Sequence, residues 1–390
     1  MLLLLACATS PTPYVPLIDA PMGTVEGVTT GILADDVLHT IDIRLNDGGF
    51  DALIVAPLEW VQADVEIDGE IISDVGIRLR GKIGSFRPID QKPKFKIDFN
   101  RYVDGQRFED LEALALNNEV VDCSYLKEPL GYSVFRAAGV PAPRTSFTTV
   151  TVDGEPYGLY VVVEFPDDRF LSRWYAEHSG NLYDGKYIWD GGNGGELVDF
   201  TSQLEDNFRL EEGEDVGLSD VYAITDALEG PFSEVEGLID GDALRRFTFA
   251  EQWTGHIDGY AMNENNYRVY FNPEDGGANW IPWDLDYAFL DALSWGKLWN
   301  RPVGVVVAGC WDDEDCTAAS RDAVREGLAA LDVEQLHADL DRWAELTETA
   351  AEDDPRRECS RGSIDDWRED LRVWIDERGA WMEKKWGLDE

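Results

Sequence analysis

Residues Gln252–Leu290 read QWTGHIDGYAMNENNYRVYFNPEDGGANWIPWDLDYAFL, and this stretch decides how the chain is organised. It carries two acidic groups in unlike settings. His256, Asp258 and Asn263 lie in polar, turn-forming sequence, whereas Asp284 and Asp286 close an apolar run. Tyr267–Phe271 and Trp280–Trp283 read as short strands around the turn 272–277, that is, a hairpin. A hairpin returns the chain to where it began, so Asp284 is expected beside Asp258 and Asn263. Hard oxygen ligands gathered this way suit Mg²⁺, which takes few protein carboxylates and leaves the rest of its shell to phosphate and water.

The spacing His256-x-Asp258-x-x-x-x-Asn263 is that of the catalytic loop in protein kinases. There one carboxylate receives the proton of the attacking hydroxyl, an Asn on the same loop holds a metal, and a further Asp holds the Mg²⁺ bridging the nucleotide phosphates. An Asp and an Asn five apart also occur in plain solvated turns. The acidic pair beyond the hairpin is what gives the spacing weight.

The chain has 390 residues, more than one core comfortably serves, so two lobes or two domains are expected. With 14 Trp, 14 Tyr and 16 Phe and 44% hydrophobic residues, it has ample material for a packed core. The 78 acidic against 33 basic residues give a formal charge of −45. A phosphate polymer needs clustered cations to displace its counterions, so nucleic acid is disfavoured as a partner. Basic protein partners would be attracted, and solubility in a salty or extracellular medium is the plainer use of such a charge.

The chain opens Met1-Leu-Leu-Leu-Leu-Ala-Cys7 and turns polar at once. An apolar run ending in a small residue and Cys resembles the tail of a bacterial lipoprotein signal, with Cys7 as the lipidated residue and a cell-surface or extracellular location. The run is too short to span a bilayer, so any membrane attachment would be through this anchor. A mere hydrophobic end is the alternative. Export would permit a disulfide among Cys310, Cys316 and Cys359, with the pairing open and Cys123 isolated. Four His and no C-x-x-C speak against zinc.

Residues 1–35 read as signal remnant and tether, 36–165 as a β-rich lobe, and 166–390 as a mostly helical lobe. From Val37 to Phe99 the sequence alternates polar and apolar residues between Asp-Gly and Gly-Gly turns, which predicts an antiparallel sheet with one wet face. The connection Arg80–Lys96 is the one basic place in an acidic chain, with Gly81, Gly84 and Ser85 among Arg80, Lys82, Arg87, Lys92, Lys94 and Lys96. Glycine-freed backbone N–H groups flanked by cations make an anion cradle, and a charge-balancing edge is the other reading. A helix capped by Asp122 or Ser124 follows and runs to Ala137, with Glu128 in its first turns. In kinases a strand Lys gripping phosphate is held by a helix Glu, and Lys96 and Glu128 are the pair this order offers. Phe147–Glu164 reads as a hairpin turning at Asp153-Gly154, with Glu164 where the lobes meet. Helices are expected over 169–177, 219–228, 242–255, 317–331, 333–352 and 364–386.

With these segments in hand the chain resembles the CotH family of spore-coat-type atypical protein kinases. The residues that carry the resemblance are Val75–Gly81, Lys92–Phe99, Leu116-Asn-Asn118, Gly139–Arg144, Tyr157–Glu164, Asn265–Tyr270 and Pro282–Phe289. The resemblance implies an α+β, bilobal protein-kinase-like fold that uses ATP and Mg²⁺ or Mn²⁺ to phosphorylate Ser or Thr of other proteins. By position it implies that Lys96 grips phosphate, Glu128 orients it, Asp258 is the catalytic carboxylate, and Asn263 or Asn266 joins Asp284 as metal ligands. Asp286 could exchange roles with Asp284. Arg80, Lys94, Ser85 and Glu164 complete the nucleotide side. The loop Gly81–Ser85 departs from the Asn-Ser-Ser wording of the family, and Leu290 stands where a Gly is usual.

Two functions from different classes follow: an exported protein kinase acting on basic, Ser/Thr-containing proteins, or a surface-anchored binding or assembly module that keeps the fold without the chemistry. Small-molecule phosphotransfer would use the same acids and differ only in the acceptor.

Overall fold

The computed structural model describes residues 30–81, 84–185, 188–189, 195–196, 199–201, 207–274, 276–291 and 299–388. Cys7 with the tether as far as residue 29, and Lys82, lie outside these; at the tether's end Ile32 and Leu33 are buried. Seven strands, β1 (Leu38–Leu45), β2 (Val61–Ile67), β3 (Glu70–Arg80), β4 (Lys94–Asp98), β5 (Ala113–Asn117), β6 (Thr145–Val152) and β7 (Glu155–Glu164), form a closed barrel in the order β1-β2-β3-β4-β5-β7-β6. The alternation of β1–β4 is the barrel wall: Ile41, Ile43, Val65, Ile77, Phe95 and Ile97 point in, and their neighbours point out. The expectation is an antiparallel sheet with one wet face. The sheet instead closes through a parallel pairing of β1 with β6, from Leu38 opposite Phe147 to Ile43 opposite Val152. Alternation tells which face of a strand is buried, not which strand lies beside it.

Helix α1 (Gly49–Val55) bridges β1 and β2, and α2 (Lys127–Ala137) packs on the outer barrel face of β5, β6 and β7. These three strands are covered on both sides, which is why Val161-Val-Val163 and Ala113-Leu-Ala115 read as unbroken apolar runs. Helix α3 (Asp168–Trp174), capped by Asp167, leads to a second sheet of β8 (Asn181–Gly185), β11 (Phe208–Glu212), β12 (Tyr267–Phe271) and β13 (Ala278–Pro282) in the order β11-β8-β12-β13. Between β8 and β11 lies a two-residue ribbon, β9 (Ile188–Trp189) with β10 (Gly195–Glu196). Helices α4 (Ser219–Ala227), α5 (Phe232–Glu236), α6 (Gly241–Thr254) and α7 (Tyr260–Asn263) precede β12. Beyond β13 come α8 (Val305–Asp312), α9 (Glu314–Ala330), α10 (Val333–Glu352) and α11 (Arg361–Trp386).

The chain is α+β, as expected, but the barrel is not set apart as a lobe. The core on its outer face, with Phe147, Val161 and Val163, continues into Phe247, Trp253 and Trp343 of the helices. The segment between α10 and α11 then returns to the barrel side. Asp354 accepts from Lys92 Nζ at 2.6 Å, Tyr125 Oη at 3.1 Å and the Leu159 N–H at 3.0 Å. Arg87 donates Nε and Nη2 to Glu358 at 2.5 and 2.6 Å. Arg356 stacks 3.5 Å from the centre of the Tyr157 ring. Cys123, which the sequence left isolated, is bonded to Cys359 across 236 residues, and Cys310 is bonded to Cys316. Sequence spacing could not show the first pairing, because the contact exists only once α11 has been turned back onto the barrel.

Lys92 and Asp354 are 2% and 0% exposed, so each holds the other's charge in the interior. Asp354→Asn keeps acceptors for Tyr125 and Leu159 but removes the charge opposite Lys92, and breaking a buried pair costs about 3 kcal/mol or more. Urea unfolding of the disulfide-intact chain is expected to register that loss, with partial recovery when Lys92→Met is added. A loss below about 1 kcal/mol would mean that Lys92 is not closed off from water.

Candidate active site

Strand β4 sends Lys94 outward from the barrel, toward the turn that follows β13. Its Nζ donates to Asp284 Oδ1 at 2.7 Å and to Asp286 Oδ2 at 2.8 Å. Helix α2 supplies the next layer. Glu128 accepts from Asn117 Nδ2 at 2.6 Å and from the Leu285 N–H at 3.2 Å, while the Asp284 N–H donates to Tyr132 Oη at 3.0 Å. Asn117 in turn accepts from Arg80 at 3.0 Å, and the Arg80 guanidinium sits 4.9 Å from the Trp283 ring centre. Both carboxylates are thus aimed by backbone bonds to α2 side chains.

The loop before β4 closes over the same place. A Cβ added to Gly84, whose φ is +89°, would stand 2.4 Å from Tyr287 Oη, so only glycine lets this loop approach the turn. Ser85 is buried there, with its carbonyl accepting from Asn118 Nδ2 at 3.1 Å.

Asp258 stands on the loop between α6 and α7. Its two oxygens accept from Asn263 Nδ2 at 2.6 Å and Asn266 Nδ2 at 2.9 Å. The Asn266 carbonyl accepts from the Trp283 N–H at 3.0 Å, which ties this loop to the residue before Asp284. The hairpin therefore does what its sequence predicts. Tyr287 lies within the field of Asp286, Asp258, Lys94 and Asp284 together. Four non-glycine residues of this stretch, Glu264, Asn266, Asp284 and Phe289, have φ between +49° and +56°. Left-handed backbone costs of order 1 kcal/mol or more per residue and gathers where a site must be held in one shape.

Two assigned residues stand elsewhere. Lys96 does not pair with Glu128: its Nζ lies 3.5 Å from the Phe165 ring centre, and its charged neighbours are Glu211, Arg268 and Arg78. Successive residues on one strand face are about 6.6 Å apart. Lys94 therefore meets the Asp pair, and Lys96, on the same face, reaches only the second sheet. Glu164 is closed off by Arg144 at 2.6 Å and Arg173 at 2.5 Å, an ion pair that joins β7 to α3 and leaves no oxygen aimed at the Asp pair. Asn117, Tyr132 and Glu251 went unassigned in the sequence. Glu251, buried at the end of α6, accepts from the Tyr260 and Ala261 N–H groups at 2.7 and 3.0 Å and so fixes the start of α7. Its signal was an acidic residue on the apolar face of a helix.

The carboxyls are unequal. Burial and Asp284 hold Asp286 well above the usual carboxylate range, whereas for Asp284 the charges of Lys94 and Arg80 outweigh burial and keep it below. Burial opposes the Lys94 charge too, but Asp284, Asp286 and Glu128 together raise it above the ordinary lysine value. Asp284 and Asp286 offer hard oxygens of the kind a divalent cation takes, while Asn263 and Asn266 turn their amide N–H groups to Asp258.

A family model described as "CotH kinase protein" matches residues 77–382. Inner spore coat protein H of Bacillus subtilis (strain 168) is 26% identical over 237 residues, which are 57% of this chain and 59% of that protein. An inner spore coat protein H-like protein of the same organism is 32% identical over 74 residues, 19% of this chain and 22% of that protein. The chain thus spans less than two thirds of the length of these relatives. Among solved structures, the Helicobacter pylori proinflammatory kinase CtkA aligns over 82% of this chain and 87% of its own, with a TM-score of 0.32 and 10% identity.

His256, two residues before Asp258, is fully buried, and burial pushes its imidazole down to about 3 against the pull of Asp284. The folded chain keeps it neutral, while the unfolded chain protonates it below about 6.5. The unfolded state then binds the extra proton, so stability is full above about pH 6.5 and is lost as pH falls toward 3. His256→Leu is expected to flatten that slope in urea unfolding at pH 7.5 and 4.5 by up to about one proton. An unchanged slope would mean that the ring takes up a proton while folded.

Proposed function

The chain belongs to the CotH kinase protein family, and we propose that it is an exported, lipid-anchored protein kinase that transfers the γ-phosphoryl group of ATP to Ser or Thr of surface proteins. The observation that carries this reading is the meeting of Lys94, Glu128, Asp284 and Asp286 beneath the Gly84 loop, with Asp258 tied to them through Asn266 and Trp283. Two disulfides support an oxidising compartment and hence export. The anchor is assigned to Cys7.

In the proposed step the acceptor hydroxyl oxygen bonds to the γ-phosphorus as the bond to the β–γ bridging oxygen breaks. The electron pair leaves with ADP, and the hydroxyl proton passes to Asp258. Asn263 and Asn266 hold the Asp258 carboxylate in one orientation for this. Lys94 supplies positive charge to the phosphates in a buried setting, where it acts strongly. Glu128 holds the turn that bears the Asp pair. Asp284 and Asp286, with Asn263 or Asn266, would hold Mg²⁺ or Mn²⁺, which when bound neutralises phosphate charge. The acidic surface favours basic segments around the acceptor residue.

One observation favours the second reading, a binding or assembly module of the same fold. Lys94 engages both Asp284 and Asp286, and among the described residues no three His, Cys, Asp or Glu side chains are grouped to hold a metal. Titration calorimetry with ATP and Mg²⁺ or Mn²⁺ separates the two. Equal heats from the wild type and Asp284→Ala point to the module.

For the kinase, labelling of a basic, Ser-rich protein from γ-labelled ATP is expected. Removing an electrostatic donor from a phosphotransfer site costs roughly 10²-fold or more in rate, so Lys94→Met should lose at least that, and Lys96→Met less than about tenfold. The assignment of Lys94 fails if the two variants change places. The kinase reading fails if the wild type labels neither itself nor the basic protein.

A further inference from the structure

Helix α11 carries Trp367, Trp374 and Trp381, one every seven residues, which at 3.6 residues per turn forms a row along one face. All three line a groove of about 990 Å³, together with Phe289 and Trp299 from the chain that follows the Asp pair. Trp381 is 38% exposed, an unusual position for an indole with no duty in the core. The row is also braced. Arg378 lies 4.4 Å from the Trp374 ring centre and 3.7 Å from that of Trp381, and its Nε donates to the Gln252 and Trp253 carbonyls at 3.0 and 3.1 Å.

One end of the groove touches, through Lys127, the turn that bears the Asp pair. Lys127 Nζ sits 4.8 Å from the Trp367 ring centre and donates to the Asp286 carbonyl at 3.4 Å. The other end is positive. Lys384 and Lys385 stand there, and burial with the like charge of Arg378 pushes Lys385 down to about 8. In a chain with a formal charge of −45, a half-buried cation facing another cation is a place that an incoming anion would relieve. Asp291, Asp370 and Glu377 line the middle of the groove, so a ligand acidic along its whole length would be repelled there.

We propose that this groove docks the acceptor polypeptide, whose apolar or aromatic side chains lie on Trp374 and Trp381 and whose acidic residue pairs with Lys384 and Lys385. Aromatic rings braced by Arg are typical anchors of peptide recognition. From Trp367 to Lys384 the helix rises about 26 Å, which an extended chain covers in roughly seven or eight residues. The groove therefore acts as a ruler that sets the distance from acidic residue to hydroxyl. The word acceptor rests on the kinase reading. The binding does not.

The test is fluorescence anisotropy of the full chain without nucleotide, using labelled synthetic peptides. Each has one Ser, a spacer of neutral and aromatic residues about seven long, and a terminal Asp-Glu or Lys-Lys pair, built in both chain directions. An Asp-Glu peptide is expected to bind about tenfold tighter than its Lys-Lys partner. Trp381→Ala should weaken it by about tenfold, and Lys384→Glu with Lys385→Glu should reverse the preference. Trp381 and Lys384 are exposed and Lys385 is half-buried, and unchanged urea unfolding would show that the variants fold. No preference between peptides, or no effect of either variant, overturns the groove. So does a dimer of the chain that Trp381→Ala dissociates, since a second copy would then be the occupant. Peptide binding with no phosphate transfer would keep the groove and refute the kinase, and transfer without peptide preference would do the reverse.

Discussion

A lysine caught between two carboxylates in the interior is the constraint on which the rest depends. Taking Lys94, Asp284 and Asp286 out of water is costly unless each remains paired, and the three come from a barrel strand and from a turn nearly two hundred residues later. Neither element can move without exposing a bare charge. The surroundings extend the same rule: Arg80, Lys92 and Lys127 stand among Glu119, Asp122, Glu128 and Asp354, all buried or partly so. Burial and the neighbouring carboxylates push Glu119, Glu128 and Asp286 up, so protons as well as cations balance the acids of this interior.

The second sheet and the helices hold that constraint in place. β12 and β13 bring the Asp pair back beside Asp258, and Glu251 pins the start of α7 by accepting two backbone bonds. The return of residues 354–359 ties the loop before β4 to the helices through a buried ion pair and an exposed one, and ties the segment between β5 and α2 through a disulfide. Hinged lobes are the usual picture for a phosphotransfer cleft. Here the outer face of the barrel shares a core with the helices, while the barrel interior is a core of its own.

Much of this was legible in the sequence because the signals were local. The hairpins at Asp153-Gly154 and at 272–277, the stop of α2 before Gly139 and the helix Val333–Glu352 follow from turn chemistry and apolar period alone. The grouping of Asp258, Asn263, Asn266, Asp284 and Asp286 was also readable, since a hairpin forces its ends together. What stayed hidden depended on register and distance. Lys94 and Lys96 share a strand face and differ only by one repeat along it, and Glu164 looked available until Arg144 and Arg173 were seen beside it. The parallel closure of the barrel and the Cys123–Cys359 bond join places that no local pattern connects.

That closure fixes an order of events when the chain is made. Strand β1 leaves the ribosome early, yet its partner β6 follows more than a hundred residues later, so the first strand waits as an unpaired edge until residue 152 has emerged. The clasp formed by Asp354 and Cys359 arrives later still. A nascent chain therefore carries an open barrel edge until β6 and β7 have emerged, and protection of that edge by a chaperone would matter more to its yield than to its final stability.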